Sequence, residues 1–180
     1  IAIYAKTGYI MHSEDRTHDW FGGCPQSGFL SPYDTYKQTR GKEVIKFAVW
    51  RDPVERLVSC YKYFCLEKWY RHYFHFLDLY REPTFDHFMM FVRFELDKKC
   101  IILQDEHIRR QSDFYSPDDV DFIVPIKKLD TFLQKYNVPI QYGLKNSTHV
   151  DFKLDNEEYI NEIRELYRAD YEILNSTKYI

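Results

Sequence analysis

The segment Phe47-Ala-Val-Trp-Arg-Asp-Pro-Val-Glu-Arg-Leu-Val-Ser-Cys-Tyr61 is the strongest constraint on how this chain folds. A short apolar run stops at Arg51-Asp52-Pro53, and a helical pattern starts at once. Asp52 is a good N-cap, because its carboxylate accepts N–H groups that a first helical turn leaves unpaired. Pro53 suits the first helical position, where a missing N–H is no loss. Arg51 then stands at the carboxyl end of a strand, where open α/β sheets bind ligands. Ser59 falls about two turns into the helix, and Arg56 and Ser59 share a face at i, i+3 spacing. A guanidinium and a hydroxyl converging near such a junction suit a phosphate clamp. The same residues also fit a plain strand followed by a capped helix, with Arg56 on the surface or ion-paired.

Around this segment the pattern alternates strands and helices. Residues 1–4 read as a short buried strand, 5–8 as a turn, 22–28 as a loop, and 32–39 as a short helix. Residues 44–50 form an apolar strand of the kind buried in parallel sheets, and the helix from Pro53 is expected to run to about Tyr70. Apolar residues at 85, 88, 89 and 92 have helical spacing, which marks this Phe and Met stripe as core. Residues 119–125 read as a second buried strand and 128–136 as a helix. The chain closes in an amphipathic helix over 154–174, starting near Asp155, with Ile160, Ile163, Leu166, Tyr167 and Tyr171 or Leu174 inward. The expected fold class is α/β, three layers with a central parallel sheet flanked by helices, in one domain spanning residues 1–180.

Composition narrows the function. A net charge of −3 gives no basic stripe, so nucleic acid is not the expected partner, and any anion site must be local. The 16 Tyr and 14 Phe suit sugar-binding surfaces, but an aromatic core explains them as well. No apolar run reaches the ~18 residues of a membrane span. The chain opens on Ile1 with no signal-peptide pattern, so the expectation is that an N-terminal part is missing, and an upstream anchor is compatible with it. Cys24, Cys60, Cys65 and Cys100 match no zinc spacing and no disulfide scaffold, and Cys60 and Cys65 are expected as core thiols. His72 and His75 lack a third ligand at useful spacing, so no metal is expected. Asn146-Ser-Thr and Asn175-Ser-Thr fit the glycosylation triplet, which arises often by chance. Compartment stays open between bacterial cytoplasm and Golgi lumen.

Arg51-Asp52-Pro53-x-x-Arg56-Leu57-x-Ser59-x-Tyr61 resembles the 3′-phosphate motif of the Golgi and bacterial carbohydrate sulfotransferases that use 3′-phosphoadenosine 5′-phosphosulfate (PAPS). Further segments resemble the same family in order: Gln104-Asp-Glu-His-Ile-Arg-Arg-Gln111, with Arg110 where the family has Pro; Asp121 to Asp130, with Lys127 or Lys128 where it has Glu; Lys145-Asn-Ser-Thr-His149; and Leu166-Tyr-Arg-Ala-Asp-Tyr171. The resemblance implies a P-loop-like three-layer sandwich, PAPS as co-substrate, no metal, and a saccharide or glycan acceptor. It implies that Arg51 and Ser59 hold the 3′-phosphate and that the Lys145 and Ser147 loop lies near the nucleotide.

At the N-terminus, Lys6-Thr7-Gly8 stand where the family binds the 5′-phosphosulfate through a lysine and backbone N–H groups. Ala5 replaces a Pro there, and Tyr9-Ile10 replace small hydroxyl residues. Either this is a divergent compact loop, or the true loop lies upstream. The general base that an acceptor hydroxyl needs is sought in His107, Glu106 or His18; ordinary hydrogen-bonded histidines would fit the same positions. Arg109 and Gln111 are expected to touch an anionic acceptor or to lie on a solvated face, and Arg110 on a solvated face. Two alternatives remain: a non-catalytic nucleotide-binding relative, and a P-loop nucleotide kinase. Against the second, the sequence has no Gly-x-x-x-x-Gly-Lys-Ser/Thr loop and no obvious magnesium-binding pair.

Overall fold

The computed structural model describes residues 23–24, 29–30, 45–67, 82–136 and 150–180. The expected elements at 1–4, 5–8 and 32–39 lie outside them, as do Lys6, Thr7, Gly8, His18, His72, His75, Lys145 and Ser147. The chain divides into two compact units: residues 1–50, 114–141 and 176–180, here the strand unit, and residues 51–113 and 142–175, the helical unit.

In the strand unit, β1 (Gly23–Cys24) pairs antiparallel with β2 (Phe29–Leu30). Within the expected loop 22–28, residues 23–24 are therefore strand. The apolar run forms β3 (Phe47–Trp50), shorter than expected, and it pairs in parallel with β4 (Phe122–Pro125), Phe47 opposite Phe122 and Trp50 opposite Pro125. Lys46 and Asp121 start the pair: the Asp121 N–H donates to the Lys46 carbonyl at 2.7 Å, and the Asp121 carboxylate accepts the Lys46 N–H at 2.7 Å. Pro125 brings no ladder donor and ends the strand. Asp119, expected to open this strand, instead ends a 3₁₀ turn over Pro117–Asp119 capped by Ser116. The other edge of β4 is met by the C-terminal residues, the Ile123 N–H donating to the Lys178 carbonyl at 2.8 Å and the Ile180 N–H to the Ile123 carbonyl at 3.1 Å.

A short helix, α3 in chain order (Leu129–Lys135), follows β4 and a 3₁₀ turn over Ile126–Lys128. It lays Phe132 and Leu133 on Phe47 and Val124, with the Phe47 and Phe132 ring centroids 4.8 Å apart. Burying side chains of this size stabilises by about 1.5–3 kcal/mol each.

The helical unit begins with α1 (Pro53–Tyr61). Asp52 caps it, its Oδ1 accepting the Val54 and Glu55 N–H groups at 2.9 and 3.1 Å, with Pro53 in the first turn. The helix does not continue as α. Residues Lys62–Leu66 take the wider π form, closed by the Glu67 N–H on the Lys62 carbonyl at 2.9 Å. This turn buries Phe64 and Cys65.

Helix α2 (Phe85–Asp97) starts at a capping box in which Thr84 and His87 each accept the other's backbone N–H. Its Phe and Met stripe is core: Phe88, Met89 and Val92 are fully buried. The C-terminal amphipathic segment is two helices, α4 (Glu157–Leu166) and α5 (Arg168–Glu172), broken at Tyr167, which leaves the helical region at φ −111°, ψ 25°. The cap is Asn156, one residue past the expected start. Ile163 and Tyr167 are buried as expected, while Ile160, Leu166 and Tyr171 are only partly covered. No helix among the described residues is long and apolar enough to cross a membrane.

Candidate functional site

The site is assembled from the start of α1, the irregular segment 104–113 and α5, all within the helical unit. Its centre is Arg51, whose main chain is gripped from both sides by one side-chain amide. The Arg51 N–H donates to Gln111 Oε1 at 2.9 Å, and Gln111 Nε2 donates to the Arg51 carbonyl at 2.8 Å. The amide thus satisfies both backbone groups of the residue before the N-cap, groups that burial would otherwise leave costly. The Arg51 guanidinium is half-buried and makes no hydrogen bond or ion pair among the described residues. Ser59 is likewise half-buried, and its hydroxyl has no partner among them, while its carbonyl accepts the Lys62 N–H.

Arg56 is the opposite case. Its Nη2 donates to the Arg109 carbonyl at 2.8 Å and lies 3.9 Å from the Asp170 carboxylate. The guanidinium sits over the Tyr167 ring, 5.3 Å from its centroid, a favourable placement for a cation. Of the two readings of Arg56, the ion-paired one is what the structure has.

Asp170 is wholly buried. Its Oδ2 accepts the Gln111 N–H at 2.9 Å and Gln111 Nε2 at 3.3 Å, and its Oδ1 accepts the Ser112 N–H at 2.9 Å. The next residue of α5, Tyr171, donates its hydroxyl to Asp52 Oδ2 at 3.1 Å. One short helix therefore braces both Arg51, through Gln111, and the helix cap Asp52.

His107 is positioned by Asp105. The Asp105 Oδ1 meets the His107 N–H at 2.9 Å and its Nδ1 at 3.1 Å. A carboxylate only accepts, so His107 Nδ1 carries a proton in this contact. The ring stands edge-on to Phe64, centroids 5.3 Å apart. Asp105 is itself held, its N–H donating to the buried Glu95 carboxylate at 2.7 Å.

The Cys60 thiol meets the His107 carbonyl at 3.7 Å. Burial pushes this thiol up to about 11, against the opposing pull of the Arg56 and Arg51 guanidinium groups. Tyr167 and Tyr171 are also raised above the ordinary phenol value, both by burial first, and Tyr171 next by the Asp52 charge.

Of the sequence-predicted site residues, Arg51, Ser59 and His107 fall within the described part, in the same unit. Gln111 does not reach toward a ligand: it is buried and its amide is consumed by Arg51 and Asp170. Arg109 and Arg110 are half-buried and tie down carbonyls, Arg109 that of Gln104 at 3.0 Å and Arg110 that of Leu166 at 2.8 Å. Neither is a solvated face. Asp170 and Tyr171 carried no assigned role in the sequence. One signal was there: Asp170 follows Ile163 and Tyr167 at helical spacing, and an acid on an apolar stripe implies a buried partner.

Cys60, Cys65 and Cys100 are in no disulfide. Among the described residues no group of three His, Cys, Asp or Glu is placed to hold a metal ion. Arg51 carries a cation and Ser59 a hydroxyl, groups of the chemistry that accepts a phosphate monoester. Compared with protein-family models, with curated proteins and with solved structures, the chain matches none.

Proposed function

We propose that this chain is a sulfotransferase that moves a sulfuryl group from PAPS to a carbohydrate hydroxyl, on a P-loop-like three-layer α/β scaffold. The observation that carries the reading is Arg51: its main chain is fully engaged while its guanidinium is left for another partner among the described residues. In this reading Arg51 and Ser59 hold the 3′-phosphate of the nucleotide. Lys6, Thr7 and Gly8 bind the 5′ end, and Lys145 and Ser147 lie beside the nucleotide. His107, oriented by Asp105, takes the acceptor proton, with His18 as the other candidate base. The donor supplies an activated sulfuryl group, and the residues contribute positioning and charge neutralisation, as in phosphoryl transfer. The parallel pairing of β3 and β4 is the arrangement such a scaffold uses.

Calorimetric titration with adenosine 3′,5′-bisphosphate tests the reading. Arg51→Ala should remove the advantage of the bisphosphate over adenosine 5′-monophosphate, and Ser59→Ala should weaken bisphosphate binding by about 1–3 kcal/mol, the range for a hydrogen bond to a charged group. Lys6→Ala should lower turnover more than affinity. A folded wild-type protein that does not bind the bisphosphate would sink the assignment. A second reading, a nucleotide-binding relative without activity, is favoured by Ala5, Tyr9 and Ile10 in the 5′ loop. It predicts the same binding with no transfer to any saccharide acceptor.

A further inference from the structure

We propose that Asp170 and Gln111 form a positioning relay for Arg51, so that α5 sets the aim of the guanidinium offered to the anion. The inference rests on the proposed 3′-phosphate role of Arg51. Three observations converge on it.

Gln111 places both Oε1 and Nε2 on the main chain of a single residue, with bonds of 2.9 and 2.8 Å, and that residue is Arg51. An amide can flip about its terminal torsion and exchange donor for acceptor. Here the flip is blocked, because Nε2 also donates to Asp170 Oδ2 at 3.3 Å, while the same carboxylate holds the Gln111 and Ser112 N–H groups at 2.9 Å each. A carboxylate cannot donate, so it fixes the amide with its NH₂ toward Asp170 and its oxygen toward the Arg51 N–H.

The neighbouring Tyr171 braces Asp52 at 3.1 Å, so consecutive residues of α5 hold both residues that precede Pro53, Asp52 directly and Arg51 through Gln111. Arg51 lies 60 positions from Gln111 and Gln111 lies 59 from Asp170. Local helix formation therefore cannot supply this hold. Fixing the Arg51 backbone removes two soft dihedrals from the path between fold and guanidinium. What remains free is the side chain, whose reach toward a phosphate is then set by its root. Arg56, by contrast, uses its charge inside the fold and gains nothing from such a frame.

The test uses Gln111→Leu and Asp170→Asn in the full chain, with Arg51→Ala as reference. Two readouts are taken: exchange of the Arg51 amide proton by NMR, and the affinity ratio of adenosine 3′,5′-bisphosphate to adenosine 5′-monophosphate. The relay predicts that Arg51 amide exchange rises at least about tenfold while Leu57 and Tyr61 in α1 stay within about twofold. It predicts that the 3′-phosphate advantage falls about tenfold, the size of effect seen when a second-layer partner of a ligand-holding group is lost, with monophosphate affinity unchanged. Adding Gln111→Leu to Arg51→Ala should cause no further loss.

Unchanged Arg51 exchange, or parallel weakening of both nucleotides, overturns the relay. A 3′-phosphate advantage that survives Arg51→Ala overturns the assigned role of Arg51 instead, and the exchange readout still decides whether the clamp exists. Should Asp170→Asn fail to fold, Gln111→Leu alone carries both readouts.

Discussion

In the strand unit, Phe47, Val124, Phe132 and Leu133 close the interior with hydrocarbon. The helical unit buries Glu95, Gln104, Gln111 and Asp170 beside its aromatic core. All the buried polar side chains among the described residues belong to that second unit. Each holds irregular backbone in place. Glu95 takes Lys98 Nζ at 2.6 and 2.7 Å and the Asp105 N–H, and Gln104 Nε2 reaches the Lys98 carbonyl at 3.2 Å. Gln111 and Asp170 do the same for Arg51 and Ser112. A strand pair needs only its ladder and an apolar lid. A segment without regular structure, such as 98–112, needs polar partners inside the fold, because its N–H and C=O groups have no ladder. The lesson is that chemistry-bearing loops can be located by asking where a protein buries charge.

That contrast can be broken by substitution. The largest effect is expected from Asp170→Ala, which strands the Gln111 and Ser112 N–H groups and removes the carboxylate facing Arg56. Losing one member of a buried, hydrogen-bonded set should cost about 4 kcal/mol in urea unfolding. A loss below about 1 kcal/mol would show that buried polarity does not hold this unit. Leu133→Ala in the strand unit should cost about 3 kcal/mol through the cavity it leaves, with Arg51 amide exchange unaltered; a change at Arg51 would mean that the two units do not respond separately.

The smallest effect is a pH response that belongs to the helical unit. Cys60 rises from 9.0 to about 11 in the folded protein. Its folded value lies above the unfolded one, so its contribution is complete below pH 9 and is lost as pH rises through 11. The loss should be about 1 kcal/mol, because the thiol keeps partial contact with solvent. Unfolding midpoints measured from pH 8 to 11 should fall less steeply in Cys60→Ala than in the wild type. Identical slopes would take Cys60 out of the account.

Much of the local structure was legible in the sequence. Asp52 and Pro53 announce a helix start because capping is decided by neighbours a few residues away, and the Phe and Met stripe of α2 carries its own period. The site was legible only as far as its local pattern went. Arg51, Ser59 and His107 stand in recognisable strings, yet those strings do not say what Arg56 does with its charge. That use is set by Asp170, Tyr167 and the Arg109 carbonyl, all distant in sequence. The same cause hid the role of Gln111, which reads as a free polar residue until Arg51 and Asp170 enclose it. The π turn at Lys62–Leu66 and the break at Tyr167 were missed for a related reason: core packing, rather than propensity, selects them.

The meeting of β4 with residues 178–180 has a practical consequence. Strand β4 has β3 along one side and the final three residues along the other, so neither flank of Ile123 is left as a template. Trimming those residues, or pulling them away with a fused tag, would bare the N–H and C=O of Ile123 beside the fully buried Ile123 and Val124 side chains. Such a margin recruits strands from other molecules, and clumping would follow without any change in the interior.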